Sequence, residues 1–145
     1  MSLTDWLKAQ WLKAHKTSRQ EIANLFGVAD RDLRDCQVSG LSEDARLAIA
    51  YNAALQCAVA ALAACGYQPS REAHHVRVIL SLEYTIGADN KLVAQFDAFR
   101  KKRNLGDYEM AGSTSKKEAD EMVALAQHLR QKVADWLRTN YPELL

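Results

Sequence analysis

From Ser42 to Gly66 the chain carries one unbroken helical pattern, and almost every face of it is small. Ser42-Glu43-Asp44 offers an N-cap followed by acids, where the positive end of a helix dipole favours them. Leu47, Tyr51, Leu55, Ala58, Leu62 and Cys65 then recur at steps of four and three, the spacing of one helical face. Alanines fill the positions between, so neighbours can approach closely from several sides. A helix apolar nearly all round belongs at the centre, with other helices against it.

The remainder supplies those neighbours. Gly27, Gly40, Gly66, Gly87, Gly106 and Gly112 fall between periodic segments, and there are only two prolines. No run alternates long enough to suggest a strand. A first helix is expected over about 4–15, with Trp6, Leu7 and Trp11 or Leu12 inward. Ser18-Arg19-Gln20-Glu21 reads as a capping box, opening a second helix that buries Ile22, Leu25, Phe26, Ala29, Leu33 and Cys36. After Gly66, Ser70 is placed to cap a helix over about 71–86 with Val78, Ile79 and Leu82 inward, and Asp89 one over about 90–105. Ser115-Lys116-Lys117-Glu118 is a second capping box. It starts a long last helix carrying Met122, Val123, Leu125, Ala126, Leu129, Val133, Trp136 and Leu137, which Tyr141-Pro142 stops.

The expected fold is therefore all-α: an antiparallel bundle of about five to six helices forming a single domain over 1–145. The length of 145 residues, with 48% hydrophobic and 26% charged, suits one core. Nineteen basic and 18 acidic residues leave a net charge of +1, so only a local patch can attract nucleic acid or a membrane. No apolar run is read as long enough to span a bilayer, and Met1-Ser2-Leu3-Thr4-Asp5 lacks a signal pattern. Cys36, Cys57 and Cys65 show no CxxC spacing and read as small hydrophobes in a reducing cytoplasm.

One segment resists a purely structural reading. Leu92, Phe96, Phe99 and Arg103 follow at steps of four, three and four. At about 100° per residue, Arg103 lies within roughly 20° of Phe96 and Arg100 within about 40°. Guanidiniums seldom enter an apolar stripe unless something holds them. Arg103 with Asp107 as a structural ion pair and Arg103 at the edge of a cleft both fit that placement. Lys101, Lys102, Lys116 and Lys117 could add a modest basic patch. Glu72 and His75 form Glu-x-x-His, half of a di-metal site, but no second such pair exists, so neither a metal nor a cofactor is expected. No nucleophile elbow, phosphate loop or dinucleotide fingerprint occurs.

Arg103-Asn104-Leu105-Gly106-Asp107-Tyr108, at the end of the penultimate main helix of a small bundle, resembles the motif of the HEPN domain family, in which an arginine and a polar residue precede a histidine five positions after the arginine. The run Ala50–Ala58 with Ala61–Tyr67 is similar to the central helix of bacterial HEPN proteins, and Ser70–His75 resembles the helix start that follows. The likeness covers about residues 18–138. It implies a homodimer whose two motifs face one cleft, metal-free cutting of RNA in active members, and partnership with small nucleotidyltransferases in toxin–antitoxin-like, defence-related settings. Carried over, Arg103, Asn104 and Tyr108 are the candidate catalytic group, and Arg100, Arg103 and Asp107 the candidate ligand-binding group. This chain departs from the pattern where Tyr108 stands for the histidine: a phenol with a free pKa of about 10 is a poor general base, although it can donate to phosphate or stack on a base. The tyrosine that is nucleotidylated in some members corresponds to Met110, so that modification does not carry over. The leading expectation is a module binding RNA, a nucleotide or a partner protein; a metal-independent ribonuclease is the alternative, and a purely structural helical protein the third.

Overall fold

The computed structural model describes residues 1–104 and 110–145. Among these the protein is an all-α bundle of six helices with one small sheet. The helices are α1 (Leu3–Lys8), α2 (Arg19–Asp35), α3 (Glu43–Ala64), α4 (His74–Ser81), α5 (Asn90–Asn104) and α6 (Lys116–Asn140), and a 3₁₀ turn follows at Pro142–Leu144. As its composition requires, α3 is the axle: α2 and α6 make the broadest contact with it, and α4, α5 and the sheet close the remaining sides. Ala50, Ala54, Ala58, Ala60 and Ala61 are fully buried, which is possible only where partners approach the backbone closely. α3 is also long and apolar enough to cross a bilayer by length and composition, contrary to the expectation that no run was; here two thirds of that window is buried by its neighbours.

Capping chemistry sets most helix starts. Ser42 and Ser18 accept from the amides of Ala45 and Glu21, and Ser115 with Glu118 closes a reciprocal box on α6. The Ser18 box is only half made. Glu21 turns away from the cap amide to His15, at 2.8 Å, and to the Thr17 hydroxyl, at 2.6 Å. Polar contacts also cross the seams that α2 makes with its neighbours. Buried Asp32 of α2 accepts from Asn52 of α3 at 2.7 Å, and Arg130 of α6 forks onto Asp30 of α2 at 2.9 and 3.1 Å.

The N-terminal third corrects the sequence reading. α1 stops at Lys8, and Gln10 takes the left-handed conformation (φ 64°) that turns the chain out of the helix. Leu12–Ala14 then forms β1, paired antiparallel with β2 (Tyr67–Pro69) in the register Leu12–Pro69, Lys13–Gln68, Ala14–Tyr67. Three-residue strands are too short for alternation to show, and their pairing joins distant parts of the chain. Trp6, Leu12 and Leu62 form a satellite core beneath this sheet. Ser70 does not cap α4. Its amide and hydroxyl instead bond the carbonyls of Trp11 and Gln10 at 3.0 and 2.7 Å. α4 consequently begins later than expected, after a left-handed Ala73 (φ 52°) and with no side-chain cap.

Candidate functional site

α5 places the cationic end of its stripe by burying the residues before it. Asp89 accepts from the Leu92 amide at 2.8 Å and starts the helix. Phe96 is fully buried and meets the Tyr51 ring edge-on, with centroids 5.5 Å apart. Phe99 is buried one turn further on. The same face then carries Arg103, half-buried, whose guanidinium carbon lies 5.7 Å from the centre of the Tyr51 ring. At that distance the ring's negative face attracts the cation. Arg103 also donates to the Asn104 side-chain oxygen at 3.3 Å. Arg100, on the adjoining turn, is held by Asp97 at 2.7 Å. Asp107 and Tyr108 lie outside the described residues, and with them the proposed Arg103–Asp107 pair.

Two residues of this site were read from sequence as something else. Tyr51 counted as one more rung of the α3 ladder, and His75 as half of a metal motif. In the structure the Tyr51 hydroxyl lies 3.0 Å from Nδ1 of His75, and the His75 and His74 rings meet edge-on with centroids 5.6 Å apart. Burial pushes the Tyr51 phenol above its ordinary pKa, opposed by the Arg103 and Arg100 charges. Burial, then the His74, Arg103 and Arg100 charges, pull His75 below the ordinary histidine range. The pair is thus a protonated phenol and a neutral imidazole near pH 7. Either tautomer satisfies the contact: the phenol donates to Nδ1 and leaves Nε2–H, or Nδ1–H donates to the phenol and leaves Nε2 with a free lone pair. The one sequence signal for this was a large aromatic with a polar tip in a helix of alanines, since a buried tyrosine hydroxyl generally has a partner.

The wider basic patch is largely neutralised. Lys101 approaches Asp97 at 3.8 Å, Lys102 reaches Glu118 at 3.4 Å, Lys116 pairs with Asp120 at 2.7 Å and Lys117 with Glu121 at 4.0 Å. Around Tyr51 gather Arg103 and Arg100 from α5 and His75 and His74 from α4, with Asp97 holding Arg100. Asp44, at the start of α3, accepts from the Gly112 and Thr114 amides at 2.6 and 3.1 Å, tying the segment before α6 to the same bundle. Among the described residues no group of three or more histidines, cysteines or acids is placed to hold a metal ion.

A hollow of about 420 Å³ lies elsewhere, between α2, α6 and the final turn, floored by Ile22, Ala23 and Phe26. Two of its arginines, Arg130 and Arg138, are spent on Asp30 and Asp135, so the site chemistry favours the α4–α5 end. No model of a known protein family matches the chain, and no curated protein matches it either.

Proposed function

We propose that the α4–α5 end of this bundle is a phosphate-binding cleft for RNA, in a HEPN-like module that acts as a homodimer. Arg103 binds the phosphate, Arg100 adds charge, and Asn104 and Tyr108 orient the strand. The observation that carries this reading is the placement of Arg103: a guanidinium lodged on the ring of a buried tyrosine, next to a second arginine and two histidines, in a chain whose net charge is only +1. The planar fork of a guanidinium matches the oxygens of a phosphate, and an aromatic ring beside it restricts its orientation. The family likeness adds a toxin–antitoxin-like setting and a nucleotidyltransferase partner to the proposal. Fluorescence anisotropy with short single-stranded RNA at low salt tests it. Arg103→Ala should weaken binding by about tenfold or more, the worth of a charged hydrogen bond. Unchanged affinity in that variant, or no binding by the wild type, overturns it.

A second reading is favoured by one contact, that of His75 with Tyr51. It places an imidazole on the ring that also supports Arg103, a source of proton transfer independent of position 108. In a metal-free cleavage, Nε2 of His75 would take the proton of a ribose 2′-hydroxyl while that oxygen bonds to phosphorus. The 5′-oxygen would leave, taking a proton from water, and a 2′,3′-cyclic phosphate would remain. Cutting of RNA in the presence of a chelator, lost in His75→Ala and in Arg103→Ala, would establish this reading; cutting that survives both would refute it.

A further inference from the structure

The first turn of α4 faces two ways. His75 turns toward Tyr51, while Arg77, two residues on and so about 200° around the helix, lays its guanidinium over the Trp11 ring, 3.8 Å from its centroid. Beside that stack opens a cavity of about 380 Å³ bounded by Gln10, Trp11, Ser70, Arg71, Glu72 and Arg77. Its wall is assembled from distant segments, because Ser70 is bonded to the Gln10 and Trp11 carbonyls. The two non-glycine residues with positive φ among the described residues, Gln10 and Ala73, both border this region. Neither the Arg71 nor the Arg77 side chain enters an ion pair or hydrogen bond with the described residues. Trp11 occupies only the face of the Arg77 guanidinium, so the in-plane N–H donors are left over. These two cations therefore differ from Lys101, Lys102, Lys116 and Lys117, each of which lies beside an acid.

We infer that Arg71 and Arg77, backed by Trp11, form a second phosphate subsite, and that an RNA strand held at Arg103 continues past the start of α4 into it. The inference rests on the RNA reading above. Glu72 on the same wall disfavours a bare anion such as inorganic phosphate. It suits a ligand that carries a hydroxyl beside its phosphate, as a ribose does, since a carboxylate is an acceptor only.

The experiment is a salt titration of anisotropy with a single-stranded RNA of roughly 12 nucleotides, within the span such grooves bind. Wild type, Arg71→Gln, Arg77→Gln, Arg77→Lys and Arg103→Ala are compared. Arg71 is exposed, so Arg71→Gln leaves the fold intact, and thermal melts verify Arg77→Gln. Each glutamine variant should weaken binding by about fivefold to tenfold and lower the salt slope by about 0.7, the value for one lost phosphate contact on a single strand. Arg77→Lys should restore the slope. Wild-type affinity and slope in both glutamine variants, with binding lost in Arg103→Ala, would overturn this subsite and leave the Arg103 cleft standing. Loss in the glutamine variants with none in Arg103→Ala would support the subsite and overturn the cleft. Absence of RNA binding by the wild type would overturn both.

Discussion

Arg103 and Arg130 make the same elementary contact in different company. Arg130 lies over Phe26 at 5.1 Å and Arg103 over Tyr51 at 5.7 Å, each at a seam beside α3 or its neighbours. Arg130 is forked by Asp30 across the α2–α6 contact, so its charge is answered by a partner from another helix and the pair joins two elements. Arg103 sits where Arg100, His74 and His75 add positive or proton-accepting groups, and its aromatic partner carries a polar tip bound to one of them. A guanidinium on a ring is thus no sign of function by itself. What separates the two is that Arg130 joins two helices through a carboxylate, whereas Arg103 gathers with a second arginine and two histidines around one tyrosine.

The most severe way to break the contrast is to remove the platform. Tyr51→Ala empties a fully buried aromatic position and should cost about 3–5 kcal/mol in urea unfolding. Tyr51→Phe keeps the ring and deletes only the His75 contact, for about 1 kcal/mol. An equal loss in both variants would mean that the hydrogen bond, and not the packed ring, holds this end of the bundle. Next comes the clasp. Arg130→Ala should lower stability by about 1 kcal/mol, since the pair is partly solvated and the cation–π contact modest, and RNA affinity should stay at the wild-type value. A drop in affinity comparable to that of Arg103→Ala would erase the distinction between the two arginines.

The smallest expected effect is the sharpest discriminator. His75 is held neutral by burial and by the charges of His74, Arg103 and Arg100, against the phenol of Tyr51. Its folded pKa is therefore below its unfolded value of about 6.5. The unfolded chain binds the extra proton first, so this contribution is fully present above that value. It is lost as pH falls from about 6.5 through the lowered folded pKa. Melting temperatures at successive pH values should show a decline across that window in the wild type and a shallower one in His75→Gln. Identical slopes would place the imidazole in solvent instead of on Tyr51.

The periodic segments carry their information locally, and much of the fold could be read from them. The cores of α2, α3 and α6 and the caps at Ser18, Ser42, Asp89 and Ser115 follow from spacing and from side-chain oxygens placed before helical runs. The position of Arg103 on the Phe96–Phe99 face was equally legible. Nothing within one helix announced that Tyr51 and His75 meet, because they come from different helices and each has an ordinary local explanation. The same holds for Trp11 with Arg77, and for Ser70, whose apparent cap was taken by a strand partner from the other side of the molecule.

The sequence alone determined that this chain forms helices, where most of them begin, and that an alanine-lined helix must lie at the centre, because capping, periodicity and side-chain size act over a few residues. Tertiary structure alone decided that α1 ends at Lys8 in favour of a small sheet, and which aromatic rings lie beneath which cations. Those outcomes depend on contacts between segments far apart in the chain, where packing and burial outweigh local preference.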